Sequence, residues 1–368
     1  MMAEMLADDG TPKIVDDVWI SYLSPNGVKA GRLTTGFGAD ENKIGPELTF
    51  GIYMQKRLKQ PVLIIKAAWG GKSINTDFRS PSAGPYPFDQ EALERLHEQG
   101  KDINAVKKAK IESTGYYYRQ TIDHVKSVLK DIKSVYPNYD PSNGYQLSGI
   151  VWFQGWNDMV DRSTYPARDQ AGGYDAYSSV LANFIRDIRK DLSAPDCPFI
   201  IGVMGAGGPV NKYTKEQQRY AGIHQNFRDA MAAPASQAEF KDQVIAVLTE
   251  NSWDLELAAI LKRDDALRSR INQAKKNGSL LEIAKQLNQN KEFSEKDRED
   301  FNSLQKQNKL DAILLESLRT KTFTTREYLI LKTGKSNAEY HYLGSGKILA
   351  QIGKSFADAI PLKSTNKR

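Results

Sequence analysis

Short apolar runs alternate with amphipathic segments through residues 48–250. An apolar run that ends in glycine or polar residues predicts a buried strand, and apolar residues recurring every three or four positions predict a helix. The predicted strands are 18–23, 61–69, 150–153, 197–203 and 244–249. One predicted helix opens at Gly45-Pro46-Glu47 with the proline in its first position, and the others cover 117–132, 175–192, 213–231 and 348–360. This order predicts an α/β fold with a mostly parallel sheet and helices on both faces.

Residues 255–335 interrupt the alternation. They are polar, rich in Lys, Gln, Asn and Asp, and contain helix formers without a broad apolar face. We interpret them as an inserted helical lobe; an arm for protein contacts is the alternative. The predicted segments are a polar N-terminal stretch (1–15), an α/β core (16–254), a charged helical insertion (255–338), and a His-bearing loop with the last helix of the core (339–368).

Composition narrows the class of protein. The net charge of +6 over 368 residues is dispersed along the chain, which disfavours a nucleic-acid partner. No apolar run reaches the roughly 18 residues that a membrane helix needs. The first residues as written have neither the basic nor the apolar region of a signal peptide, so the sequence assigns no compartment. The single cysteine, Cys197, forms no disulfide framework and is expected in the core.

The segment Gly149–Asp158 (GIVWFQGWND) is the first candidate site. An apolar strand gives way abruptly to Gln154, Asn157 and Asp158, at the end of a strand where ligands bind in α/β folds. A neutral amide such as that of Asn157 can donate hydrogen bonds to a developing oxyanion. Gly155 is expected to permit a sharp turn, and Trp156 is a candidate substrate contact. The alternative is a strand followed by an ordinary Asn-Asp turn.

A second candidate follows the strand at 61–69. Its sequence Gly70-Gly71-Lys72-Ser73 resembles the end of a phosphate-binding loop, but Lys66 stands where that motif requires glycine. The remaining explanations are close approach of a substrate to backbone N–H groups, or a tight turn. Downstream, Arg79 is a candidate clamp for an acidic or hydroxyl-rich substrate; a solvated or structural ion pair is the alternative.

His341 is the candidate general base. It precedes a helix in a loop flanked by aromatic residues, a setting that can hold one ring nitrogen toward a cleft. The other histidines, His97, His124 and His224, occupy unrelated contexts; we expect His124 to be structural and His224 to lie on a helix surface. No grouping suggests a metal site, and no cofactor is expected.

Four blocks in this order carry a family resemblance: GPELTFG, IIKAAWGGKSI, GIVWFQGWND and HYLGSGK. Together they resemble the sialate O-acetylesterase-type branch of the SGNH hydrolases, carbohydrate esterases that remove acetyl groups from sugars and are often exported. The resemblance implies a three-layer α/β/α sandwich of flavodoxin-like type around a mostly parallel sheet. It also implies Gly71 or Gly70 and Asn157 as oxyanion donors, His341 as base, an acetylated sugar or glycan as substrate, and no metal or cofactor.

The chain departs from the family pattern in its nucleophile. The family serine ends a first strand near the N-terminus, and no such block is present here; neither Ser24 nor Ser73 has the right context. The family aspartate three residues before the histidine is replaced by Ala338, which leaves only Glu339 and Asn337 as weak candidates to orient His341. Many relatives also carry glutamate where Trp156 stands.

Three hypotheses follow from these departures. The chain is an acetylesterase given without its first strand and serine, a catalytically inactive protein that binds acetylated glycans, or a scaffold that uses the lobe at 255–335 for protein contacts. In a complete relative, serine activated by histidine attacks the acetyl ester, and water then releases acetate. Oligomeric state has no signature in the sequence.

Overall fold

The computed structural model describes residues 2–287, 295–306 and 309–362. Within them the chain forms two compact units. One comprises the residues up to Trp253 together with those from Gly346 onward, and the other is Asp254–Ser345. Both are described separately below.

The first unit contains two three-stranded sheets. The strands are β1 (Val18–Ser24), β2 (Gly27–Arg32), β3 (Val62–Ala67), β4 (Ile150–Trp152), β5 (Phe199–Val203) and β6 (Val244–Leu248). One sheet has the order β2-β1-β3, with β1 antiparallel to β2 and parallel to β3. The other has the order β4-β5-β6 and is wholly parallel. The architecture is therefore mixed α/β with parallel pairing in both sheets.

All five predicted strands are present, and one further strand was not predicted. Strand β2 follows β1 through the turn at Ser24–Gly27 and is almost entirely exposed, with Val28 at 61%. A strand that buries neither face has no apolar alternation in its sequence, so the hydrophobic pattern could not reveal it.

Helices flank these strands. Those of the first unit are α1 (Glu47–Leu58), α2 (Gln90–Glu98), α3 (Ile103–Ser113), α4 (Tyr116–Lys130), α5 (Trp156–Val160), α6 (Asp175–Asp191), α7 (Ala221–Ala232) and α13 (Gly346–Ala359). The helix predicted over 213–231 is wrong in its first half, because only short 3-10 turns at Val210–Lys212 and Gln218–Tyr220 precede α7. Within the described residues, no helix combines the length and apolar composition that a bilayer crossing needs.

Strand β3 shows how the core of the first unit is built. Val62 and Ile64 pack against a cluster that includes residues of β1 and α1, whereas Leu63 and Ile65 pack against Trp19 and nearby residues. Both faces of β3 are thus covered, which explains its continuous apolar sequence. The larger cluster surrounds β4, β5 and α6 and extends to α7.

The second unit is helical. Its helices are α8 (Leu255–Asn277), α9 (Leu280–Leu287), α10 (Glu295–Lys306), α11 (Leu310–Thr322) and α12 (Thr325–Thr333). Its core takes a few apolar residues from each of several helices: Ile271, Ala274, Leu280, Ile283, Ala284, Leu310, Leu314 and Leu318. A buried carboxylate, Asp264, binds Arg319 at 2.6 Å and so links α8 to α11. This unit therefore has both an apolar core and an internal ion pair of its own.

Candidate functional site

Two loops that follow parallel strands meet through the carboxylate of Asp158. One loop follows β3 and contains Gly70 to Arg79; the other follows β4 and leads into α5. Asp158 Oδ2 accepts a hydrogen bond from the backbone N–H of Ile74 at 2.8 Å, and Oδ1 accepts one from Asn75 at 3.2 Å. The two candidate stretches, which are far apart in the sequence, are therefore neighbours in the fold.

The Asp158 carboxylate is 1% exposed and accepts two more hydrogen bonds, from Gln154 Nε2 at 2.7 Å and from the Tyr165 hydroxyl at 3.3 Å. Burial raises its pKa to about 6, against the lowering effect of these hydrogen bonds. The sequence predicts that Asp158 contacts the substrate. Because the carboxylate is enclosed by protein groups, its geometry instead favours a role in positioning the two loops.

The Lys72 carbonyl oxygen is the second link between the loops. It accepts hydrogen bonds from Gln154 Nε2 at 2.9 Å and from Asn157 Nδ2 at 3.2 Å. Both amides, predicted as substrate or oxyanion contacts, thus lie against the glycine loop. An amide nitrogen carries two N–H donors, and Asn157 needs only one of them for Lys72.

Gly70 and Gly71 lie at the open side of this arrangement. Both are exposed, and a Cβ atom at either position would meet no heavy atom within 4 Å. Gly71 has φ +73°, a left-handed conformation that favours glycine. The backbone at these two residues is therefore accessible to a bound molecule.

Arg79 is buried among oxygen atoms of its own loop. It is 9% exposed and donates hydrogen bonds to the Gly84 carbonyl at 2.8 Å, the Ala83 carbonyl at 2.6 Å and Asn75 Oδ1 at 3.1 Å. All three guanidinium nitrogens thus donate to neutral oxygens nearby in the chain, which favours a structural role over a substrate clamp.

Gly155 and Trp156 join the site to the core. Gly155 has φ 168° and ψ −24° where the chain leaves β4 and enters α5. A Cβ atom at this position would lie 2.8 Å from Phe227 Cε1, and this close packing excludes a side chain. Trp156 is partly buried against the apolar core.

His341 lies in the second unit, within the 3-10 segment Glu339–Gly344. The residue is exposed, its N–H donates to the Ala338 carbonyl at 3.0 Å, and its ring meets Tyr340 edge-on at 4.4 Å between centroids. The two residues that follow, Tyr342 and Leu343, are buried at φ +53° and +60°, a strained conformation for side chains of this size. Of the candidate orienting groups, Asn337 accepts a hydrogen bond from the Ala338 N–H at 2.7 Å.

A polar network at the ends of β5 and β6 was not predicted. His224 Nδ1 lies 2.6 Å from the Tyr213 hydroxyl, which accepts a hydrogen bond from Arg228 at 3.2 Å. Arg228 also pairs with Glu250. Burial, with a smaller effect of Arg228, lowers the pKa of His224 to about 4. His224 is thus partly buried rather than on the helix surface, and the i, i+4 spacing to Arg228 was the one available signal.

The remaining histidine in the core agrees with its predicted structural role. His124 is buried with Nε2 3.4 Å from Ser21 Oγ, and burial lowers its pKa. In the described part of the chain, no group of three or more His, Cys, Asp or Glu residues could hold a metal ion.

Comparison with known proteins places this geometry in context. A model of the carbohydrate esterase family of sialic acid-specific acetylesterases matches residues 29–252. A solved Arabidopsis thaliana protein is similar at 16% identity, with 62% of this chain and 68% of that chain covered and a TM-score of 0.34. A carbohydrate acetylesterase from Xanthomonas citri is similar at 14% identity, with 67% and 44% covered and a TM-score of 0.37. No curated protein sequence matches the chain.

Proposed function

Because this chain belongs to the carbohydrate esterase family of sialic acid-specific acetylesterases, we propose that it acts in the hydrolysis of acetyl esters on carbohydrates. The observation that carries the proposal is the junction of the two loops. Asp158 joins the two loops, and the Lys72 carbonyl accepts from the Asn157 amide in a glycine loop whose backbone is open at Gly70 and Gly71. Amide and backbone N–H donors brought together at strand ends are suited to an oxyanion formed in acyl transfer.

The proposed chemistry has two stages. A serine oxygen attacks the acetyl carbonyl while His341 removes the serine proton, and the tetrahedral oxyanion accepts hydrogen bonds from Asn157 and from Gly70 or Gly71. Collapse of the intermediate expels the sugar oxygen, which takes the proton from histidine. Water then attacks the acetyl-serine by the same route and releases acetate.

The serine itself is not assigned within the sequence given. Ser24 Oγ donates to the Gly27 carbonyl at 3.0 Å and accepts from the Asn26 N–H at 3.1 Å, which holds the β1–β2 turn. Ser73 binds the Asp77 carboxylate through its backbone N–H at 2.8 Å. These contacts support structural roles for both serines.

The proposal extends to the fold. In a three-layer α/β/α sandwich both three-stranded sheets would belong to one central layer, flanked by helices. The hydrogen bonds between the loops after β3 and β4 support this arrangement, because they bring the carboxyl ends of strands from the two sheets together.

The test measures acetate release from an aryl acetate and from acetylated sugars. The chain as printed is compared with the product of the same gene including any in-frame codons before Met1. In an active form, His341→Ala is expected to lower turnover at least a hundredfold, in line with general-base contributions of about 10²–10⁴. Asn157→Ala is expected to lower kcat by roughly 10²–10³ with little change in KM.

His97→Ala is the matched control, because His97 is an exposed residue of α2. Its turnover is expected to equal that of the unchanged protein. Undiminished turnover in His341→Ala would refute the assignment of the base. If neither form releases acetate but both bind acetylated sugar, the glycan-binding alternative replaces the esterase.

A further inference from the structure

The residue directly before the open glycines is an aromatic one. Trp69 is partly exposed, and its ring lies 4.7 Å from that of Tyr117 and 6.0 Å from that of Phe78, centroid to centroid. These neighbours fix the orientation of the indole from the protein side. Trp69 therefore lies directly beside the backbone that is open at Gly70 and Gly71.

Helix α4 adds a second aromatic residue to this surface. Its first turn is fixed to the glycine loop, because the Gly115 N–H donates to the Thr76 carbonyl at 2.8 Å and the Tyr117 N–H to the Asp77 carbonyl at 3.0 Å. Tyr116 meets Tyr117 edge-on at 5.1 Å and is itself 46% exposed. Trp69, Tyr116 and Tyr117 together form what we term the aromatic platform.

An aromatic platform beside a polar site suits one kind of ligand. A pyranose ring presents a face of C–H bonds that packs on an aromatic ring, while its hydroxyl groups remain available to polar partners. Exposure of large aromatic side chains to water is unfavourable. A group of neighbouring exposed aromatic residues therefore indicates a binding surface.

The charges of the loop indicate whether the bound pyranose carries a charge of its own. Between Trp69 and Ser80 the sequence contains two cations, Lys72 and Arg79. Lys72 Nζ lies 3.7 Å from Asp77 Oδ1 and 4.4 Å from the centroid of the Tyr117 ring. Arg79 is buried on oxygens of its own loop. Both positive charges of the loop are thus already engaged, so a carboxylate on the sugar would find no dedicated partner from this loop.

We infer that the aromatic platform is a sugar subsite that stacks an uncharged pyranoside and presents its acetyl ester to Gly70 and Gly71. The inference rests on the proposed function for the acetyl group, but the binding of the sugar ring is independent of turnover. Trp69 and Tyr116 are its specificity-determining residues.

The experiment measures binding of sugars that carry no ester. Xylotriose is the uncharged probe and N-acetylneuraminic acid the anionic one, with dissociation constants from calorimetry and ring contacts from saturation-transfer NMR. Xylotriose is expected to bind at least tenfold more tightly. Tyr116→Ala and Trp69→Ala are expected to weaken its binding about tenfold or more, whereas Trp69→Phe keeps most of the affinity.

Tyr145→Ala is the control, since Tyr145 is an aromatic residue of comparable exposure at 58% outside the platform. It should leave binding unchanged. Because Trp69 also packs on the core, Tyr116→Ala provides the test if Trp69→Ala does not fold. Unchanged affinity in Tyr116→Ala and Trp69→Phe, or tighter binding of N-acetylneuraminic acid that Lys72→Met weakens, would overturn the inference.

Turnover separates this inference from the proposed function. In an active form, Tyr116→Ala should raise KM for acetylated xylotriose about tenfold, whereas the control Tyr145→Ala should leave both KM and kcat unchanged. Sugar binding without any acetate release would refute the esterase and leave the platform standing. Acetate release that the platform variants leave unchanged would refute the sugar subsite and leave the esterase proposal standing.

Discussion

Asp158 places a buried carboxylate among four hydrogen-bond donors, two of them backbone N–H groups of the glycine loop. The sequence predicted that this residue belongs to the site, because it ends a strand-to-polar transition. Its role could not be predicted, since the partners Ile74 and Asn75 precede it by more than eighty residues. Long-range hydrogen bonds of this kind have no local pattern in the sequence.

Asp158→Asn tests this role through the pH dependence of stability. The pKa near 6 lies above the ordinary value of 3.8, so the fold favours the protonated carboxyl. Its contribution to the free energy of unfolding is complete below pH 3.8 and is lost as the pH rises through about 6. From pH 4 to pH 7, the stability of the unchanged protein relative to Asp158→Asn should fall by about 2–3 kcal/mol in urea unfolding.

Asp161→Asn is the control for this measurement. Burial acts to raise the pKa of Asp161, but hydrogen bonds from Ser163 and Thr164 outweigh it and lower the pKa, so the stability contribution is lost as the pH falls. The difference between the unchanged protein and this variant should therefore show no decline toward neutral pH. A pH-independent difference for Asp158→Asn would contradict the raised pKa.

At the scale of elements, the junction of β4 with α5 depends on packing against α7. The sequence predicted the strand and a turn at Gly155 but did not predict the packing that excludes a side chain there. Phe227, on α7, occupies the space where a side chain of Gly155 would stand. Tertiary packing decides which helix covers the end of a strand. The sequence around Gly155 could therefore not indicate the contact with Phe227.

Gly155→Ala is expected to destabilise the protein by about 1–3 kcal/mol, because the added methyl overpacks the contact with Phe227. Gly70→Ala is the matched control, since a Cβ atom there meets nothing within 4 Å, and its stability should stay within about 0.5 kcal/mol of the unchanged protein. Urea unfolding measures both. Combining Gly155→Ala with Phe227→Leu should recover part of the loss, and equal effects of the two alanine variants would exclude the steric explanation.

At the scale of the whole molecule, the two units have separate cores and separate optical signals. All five tryptophans lie in the first unit, whereas the helices of both units contribute to circular dichroism. The second unit contains Asp264, which is 2% exposed and is bound by Arg319 and Arg268. Removing one partner of a buried ion pair leaves an uncompensated charge, which is strongly destabilising.

Asp264→Ala is therefore expected to destabilise the second unit by about 3–5 kcal/mol. During urea unfolding, part of the circular dichroism signal of the variant should be lost at a lower urea concentration than in the unchanged protein. The midpoint of the tryptophan fluorescence transition should be the same in both. Asp265→Ala, at the exposed neighbouring position, should change neither signal. An equal shift of both signals in Asp264→Ala would show that the units unfold together.

The sequence alone determined the strands whose faces are buried, the helices with an apolar stripe, and the two stretches that carry polar and glycine residues after a strand. It did so because burial imposes a periodic pattern on neighbouring residues. Only the tertiary structure decided that the two stretches lie together, that Asp158 and Arg79 are buried among hydrogen-bond partners, and that Phe227 leaves no room for a side chain at Gly155. Those facts depend on contacts between residues distant in the chain, and local patterns carry no record of such contacts.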